Sequence, residues 1–425
     1  MKRKVVITGM GCINSLGNNV SEVWGAFEKN KIGIEKLPQF DESSYHCQFG
    51  GVIKGFSSKN LDISGKNMMN STNLLEIVAV MQACEESKID SIPENIDSAL
   101  FLGNNMINLD FETMSVIKKI CHTDGSLDFS LLGKNIKKIP PLSGVKLLPT
   151  VPSHFLAKMY DIHGEGNLLY SGDTSGTLSI IQSAREIESG LVDRCIVATS
   201  FSPFQPNEFS WLCKQQFIKR TSQNDNPENL STPFYSDHNG VIYGEGAAAL
   251  VLETEETAMR EGKKILGYIN GGSFNIYSGS NFSSLSAEGF KRNIVNTLTQ
   301  SNSSTSEVDV IYAHGTSHKD WDEAELKAID ELWGNETVNI SSSKRNIGYT
   351  SCSSGVMDCI MAVQTLLNNK YISPIKSNEM SIYPELEISS KFIRSDDSPI
   401  KKCLINSAGL GGGYASIIVE KGDIS

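Results

Sequence analysis

Short runs of β-branched and other apolar residues recur along the chain, separated by longer stretches with apolar residues at every third or fourth position. This alternation predicts an α/β fold in which helices cover a buried sheet. The strand candidates are 5–8, 99–103, 194–199, 248–253, 308–313, 338–341, 403–406 and 415–420. Several are almost continuously apolar, as strands buried on both faces are. Residues 21–29 and 258–262 read as helices.

Two further helices open alike. Asp173-Thr-Ser-Gly leads into a segment with Ile180, Ile181, Ala184 and Ile187 on one face. Cys352-Ser-Ser-Gly leads into another with Ile360, Val363, Leu366 and Leu367. Both recurrences have helical spacing, and each helix precedes a strand candidate. This internal similarity reads as an ancient duplication, giving halves 1–255 and 256–425. The alternative, two unrelated helices with similar starts, stays open on these residues alone.

Composition narrows the class. The 425 residues are 39% hydrophobic and 20% charged, a globular balance, and the net charge of −11 argues against a nucleic-acid binder. Met1-Lys-Arg-Lys begins like a signal peptide, but the apolar run stops at Gly9. No stretch approaches the roughly 20 apolar residues of a membrane span. The nine cysteines are scattered without a CxxC pair, which favours free thiols in a cytoplasmic protein and supports neither a disulfide framework nor a metal site.

Six segments, in order, resemble the β-ketoacyl synthases, the condensing enzymes of fatty-acid and polyketide assembly. Val5-Val-Ile-Thr-Gly-Met-Gly with Asn14-Ser-Leu-Gly is similar to their N-terminal strand and turn. Gly172-Asp-Thr-Ser-Gly-Thr resembles their nucleophile elbow, where the family has Ala-Cys. Asp237-His-Asn-Gly, running on to Gly244-Glu-Gly-Ala, resembles a strand–turn of the family, and Ala313-His-Gly-Thr-Ser with Asp322 and Glu325 resembles the first histidine motif. Lys344 with Gly348-Tyr349 keeps the spacing of a Lys and Gly-His pair, and Asn406-Ser-Ala-Gly-Leu-Gly-Gly-Gly resembles the C-terminal glycine loop. The resemblance implies a thiolase-like fold with duplicated αβαβα halves and buried mixed sheets. The stretch 118–145 matches poorly and looks longer than usual.

The departures fall on the chemistry. The resemblance places the family's triad at Asp173, His314 and Tyr349, and none of these is expected to be fully active. Asp173 stands where the cysteine takes the acyl group, and a carboxylate forms no thioester. It would instead serve as an anionic cap on the helix, worth roughly 1 kcal/mol. Tyr349 replaces the second histidine, although its phenol still offers a hydrogen bond. Leu410 takes the gate and oxyanion-loop position of a phenylalanine. Lys344 reads as part of a structural ion-pair network with Asp322 and Glu325. Cys352 also opens a helix but reads as a structural thiol, and His154 and His318 as surface or packing residues.

The leading expectation is a non-condensing chain length factor subunit. It would pair with an active ketosynthase in a type II polyketide or aryl polyene synthase and help set product length. Acyl chains would arrive on the phosphopantetheine of an acyl carrier protein, mainly through the partner, and no other cofactor is implied. Two alternatives are a malonyl-carrier-protein decarboxylase and a divergent homodimeric acyltransferase. Lys134, Lys137 and Lys138 form a basic spot that reads as solvated surface before it reads as a carrier dock.

Overall fold

The computed structural model describes residues 2–40, 44–57, 61–105, 111–119, 121, 122, 124, 126, 128–215, 217–236, 238–334, 336, 338–371 and 399–422. Asp237, part of one motif above, lies outside them. The strands of the first half are β1 (Val5–Asn14), β2 (Ile34–Lys36), β3 (Phe49–Gly51), β4 (Ser98–Asn104), β5 (Glu165–Tyr170), β6 (Arg194–Phe201) and β7 (Gly246–Thr254). Those of the second are β8 (Gly267–Ile276), β9 (Val310–Tyr312), β10 (Asn339–Ser341), β11 (Lys402–Gly409) and β12 (Gly413–Lys421). All eight strand candidates fall on strands.

Ten strands make one mixed sheet in the order β10-β9-β11-β12-β8-β1-β7-β6-β4-β5, and β2 and β3 pair separately. Either end of the large sheet gives the same pattern. In the first half, β4 is parallel to β5 and β6, β6 is antiparallel to β7, and β7 to β1. In the second, β9 is parallel to β10 and β11, β11 is antiparallel to β12, and β12 to β8. Two five-stranded copies of one topology therefore meet at β1 and β8. That seam is short, running from Val5↔Ile269 to Ile7↔Gly267. The sheets expected as separate layers are thus continuous along one seam.

Helices Ser175–Ser189 and Ser354–Asn368 lie in the central layer, the first buried along most of its length and the second more fully. Their apolar faces, including Ile180, Ile181, Ile187, Ile360, Val363 and Leu366, join the core side chains of β1, β6, β7, β11 and β12. Each helix begins with a glycine one residue into its first turn, and each glycine admits the other helix. A Cβ on Gly176 would meet the Cys352 carbonyl oxygen at 2.4 Å, and one on Gly355 would meet Thr177 Oγ1 at 1.8 Å. Only hydrogen fits at either point.

Gly355→Ala should push into the Thr177–Ser407 hydroxyl pair, which is 2.6 Å apart. We expect a loss of about 1–3 kcal/mol in denaturant unfolding. Gly25→Ala, in helix Val20–Glu28 with nothing within 4 Å of the added carbon, should instead be neutral or stabilise by up to about 1 kcal/mol.

Candidate active site

The two helix heads are built alike and face each other. After β5 the chain turns through Gly172, at φ 59°, into a 3-10 turn, Gly172–Thr174, that leads into helix Ser175–Ser189. In the opposite half Ser351 takes the glycine's place at φ 47°, opening the turn Ser351–Ser353. A side chain held in that left-handed region costs about 1–2 kcal/mol. The hydroxyl placed there is used, because Ser351 Oγ donates to Asp173 Oδ1. Asn105 Nδ2 donates to the same carboxylate oxygen at 3.3 Å and also reaches Ser351 Oγ.

Asp173 is half-buried and tightly walled. A Cβ on Gly409 would lie 3.0 Å from Asp173 Cβ, so the strand β11 presses directly on it. Burial raises the Asp173 pKa above the ordinary carboxylate range, against the pull of Ser351, Tyr349, Asn105 and the Leu410 N–H. The capping expectation is corrected here. The N-cap of helix Ser175–Ser189 is Thr174, with no side-chain capping bond, and the Asp173 carboxylate bonds across to the opposite half. The 3-10 turn moves residue 173 off the helix axis, so its oxygens point away from the free N–H groups.

His314 is buried beside it in the loop after β9. The Ala408 N–H donates to His314 Nδ1 at 3.3 Å. Burial first, then the Lys344 charge and His318, hold its pKa well below the usual histidine range. A neutral imidazole accepting at Nδ1 carries its proton on Nε2. That N–H has no partner, whereas the Tyr349 hydroxyl is turned to the Asp173 carboxylate. The two rings meet edge to face, centroids 5.6 Å apart at 89°. Burial and the Asp173 charge push the Tyr349 phenol far above its ordinary value, so it is a hydrogen-bond donor and not an anion.

The charge network differs from the expected one. Lys344 Nζ pairs with Asp358 on helix Ser354–Asn368 and donates to the Ala313 carbonyl at 3.0 Å. Asp322 and Glu325, on helix Lys319–Trp333, instead accept backbone N–H groups of the histidine loop. Glu325 takes those of His314 and Gly315, both at 2.9 Å, and Asp322 those of Thr316 and Ser317 at 2.8 and 3.1 Å. A six-residue loop has no ladder of its own, so carboxylates at helical spacing supply its acceptors. Lys344 holds the same loop from its other end. Glu325 is buried, and burial raises its pKa to about 7.

The remaining candidates sort by burial. Cys352 is fully buried and donates from Sγ to the Ser200 carbonyl at 3.4 Å; burial and the Asp173 charge raise its pKa, leaving an inert thiol. Leu410 is half-buried against the apolar cluster that contains Tyr349, Trp321 and Cys352. His318 stacks on Trp321 at 4.5 Å, and His154 is exposed. Lys134, Lys137 and Lys138 are exposed. Sequence reading missed Asn105, Ser351 and Asp358. The signal for Ser351 was its alignment with Gly172 in the repeat; for Asp358 it was one acid in an apolar helix.

Residues 2–258 match the family described as Beta-ketoacyl synthase, N-terminal domain, and residues 267–377 match Beta-ketoacyl synthase, C-terminal domain. The 3-oxoacyl-(acyl-carrier-protein) synthase 2 of Synechocystis sp. is 25% identical over 425 residues, covering 99% of this chain and 98% of that protein. Two solved structures share the architecture. One is a type II PKS acyl-carrier protein in complex with its ketosynthase bound to the hexaketide, with TM-score 0.84 and 19% identity over 99% and 100% of the chains. The other is the ishigamide ketosynthase/chain length factor, with TM-score 0.85 and 19% identity over both chains in full. The fold is the thiolase-like ketosynthase fold.

Two measurements follow from the site. Asp358→Asn leaves Lys344 charged, buried and unpaired, and should cost about 3–5 kcal/mol. A Lys344→Met, Asp358→Leu double variant should recover much of that loss in denaturant unfolding. Glu325 gives a pH signature. Its folded pKa, about 7, lies above the ordinary value of 4.5, so the folded state keeps a proton that the unfolded state releases. Its contribution is full below pH 4.5 and is lost as pH rises through about 7, on the order of 3 kcal/mol. Unfolding curves at pH 5 and pH 8 should show that slope in the native chain and not in Glu325→Gln.

Proposed function

The chain belongs to the β-ketoacyl synthase family, and we propose that within it this protein is a non-condensing subunit of the chain-length-factor type. It pairs, in this reading, with an active ketosynthase of a type II polyketide or aryl polyene synthase in the cytoplasm. The observation that carries the reading is the Asp173 carboxylate, fixed by Ser351 and Asn105 at the head of the central helix where the family's cysteine stands. A carboxylate there cannot store an acyl group as a thioester. When ionised it also opposes an oxyanion forming beside it. Tyr349 in place of the second histidine weakens the condensing reaction again.

The partner would supply the cysteine and receive the chain from the phosphopantetheine of an acyl carrier protein. This subunit would complete the wall of the tunnel and so limit how far the chain grows. Strand β5 suits an interface, since it ends the sheet, is half-exposed and carries the exposed Tyr170. A free edge offers unpaired N–H and C=O groups to a second chain. Phe129 and Ile136, on the segment between β4 and β5, are also exposed. The ketosynthase/chain length factor and the carrier-protein complex among the similar structures support both partners.

Co-expressed with a cysteine-bearing ketosynthase from the same gene cluster, the chain should co-purify one to one and be required for product of defined length. A stable homodimer that condenses by itself would overturn the reading. One observation favours a second reading: the unpartnered His314 Nε2–H, with the Tyr349 ring packed beside it, suits an enolate oxygen. The two groups would let the chain decarboxylate malonyl-carrier protein to an acetyl starter. Labelled malonyl-carrier protein should then release carbon dioxide, with Tyr349→Phe reducing the rate about tenfold or more. Release no faster than in the absence of protein removes that reading.

A further inference from the structure

The loss of the cysteine leaves another nucleophile in the same place. Ser351 Oγ donates to Asp173 Oδ1, and Asn105 Nδ2 bonds both groups, so a hydroxyl and a carboxylate are locked at contact distance. Ser351 is held at φ 47°, where its counterpart in the other half is a glycine at φ 59°. A glycine would serve the turn, so the strained serine is present for its side chain. His314 and Tyr349 are 2% and 1% exposed and their rings are in contact. His314 Nε2 has no partner, and the Tyr349 phenol is turned to Asp173. A nucleophile, a base held by an amide and a phenol, and one idle imidazole donor are the parts of an acyl-transfer site.

We infer that Ser351, with Asp173 as its general base, takes an acyl group from a pantetheine thioester as an oxygen ester and passes it to water. In the first step Ser351 Oγ bonds to the thioester carbonyl carbon while its proton moves to Asp173. The oxyanion lies against His314 Nε2–H, while Tyr349 O–H steadies Asp173. Collapse breaks the carbon–sulfur bond, and the departing sulfur takes the proton from Asp173. In the second step water attacks the ester, Asp173 removes its proton and returns one to Ser351 Oγ, and a carboxylic acid leaves. The sum is thioester plus water to acid plus thiol, with no oxidant or reductant. The desolvation that raises the pKa of Asp173 makes it a stronger base than a solvated carboxylate.

This goes beyond the partner-subunit reading and is independent of it. An oxygen ester is a weaker acyl donor than a thioester, so the step removes short acyl groups without building carbon–carbon bonds. The substrate class is a small acyl group on a pantetheine arm, since the donors and the hydroxyl lie close together in a walled site.

The test uses the full chain, alone and with any co-purifying ketosynthase whose cysteine has been alkylated, and acetyl-pantetheine as the probe. Free thiol should be released faster than without protein. Acid-quenched protein should carry one acetyl group on the peptide containing Ser351, resistant to neutral hydroxylamine, which strips thioesters. Ser351→Gly keeps the left-handed turn and should abolish both signals with an unchanged melting temperature. Asp173→Asn should slow release by roughly a hundredfold or more. Ser351→Cys should give an adduct that hydroxylamine removes, whereas Cys352→Ala should leave the native adduct in place. No thiol release from the native chain, or release that persists in Ser351→Gly, overturns the inference. Absence of a co-purifying partner would instead count only against the subunit reading.

Discussion

The structure depends on two helices meeting head to head at glycines. Gly176 lies against the Cys352 carbonyl and Gly355 against Thr177, each with no room for one more carbon. That approach lets the turns preceding the helices, one in each half, share a single site. Asp173 then comes from one turn and Ser351 from the other, and the hydrogen bond between them spans the duplication. A wider helix separation would leave two half-sites, each with one polar group and no partner.

Around this pair the histidine loop is held by a dense set of buried side-chain donors and acceptors. The histidine loop is still tied by Glu325, Asp322 and Lys344, and Asn406 adds a bond to Glu325 at 3.0 Å. Holding a neutral imidazole with a free Nε2–H requires a buried backbone donor on its other nitrogen, which Ala408 supplies. Such a loop is expensive to rebuild, because each carboxylate bonds two or more groups at once. None of these bonds involves residue 173, so a family scaffold can vary there without a change of fold.

Much of this was legible in the sequence, and the failures have physical reasons. Strands buried on both faces announce themselves as apolar runs, so β4, β6, β7, β11 and β12 were visible. Strand β8 was not, because Asn270, Gly271 and Gly272 interrupt it, and Gly271 has φ 88°. Strand β5 was missed because an edge strand with half-exposed residues needs no apolar run. Asp173, His314 and Tyr349 could be named by resemblance, and Tyr349 packs on His314 and bonds Asp173. Their bonding could not, since a helix head is one residue from a 3-10 turn in sequence but points its side chain elsewhere. Lys344 was assigned the acids nearest in motif order, whereas its partner, Asp358, comes from a helix whose packing no local pattern reveals.

The short seam has a consequence for how the chain is made. Val5, at the very start of the sheet, pairs with Thr254 on one side and Ile269 on the other. A strand with every residue buried in the finished protein therefore leaves the ribosome long before either neighbour has been synthesised. During that interval its backbone and its Val5-Val6-Ile7 run are open to any other chain. Sheets closed by such distant pairings form slowly and pass through states prone to aggregate. β1 therefore stays unpaired until Thr254 and Ile269 have been made, and the yield of this protein depends on what shields that strand in the meantime.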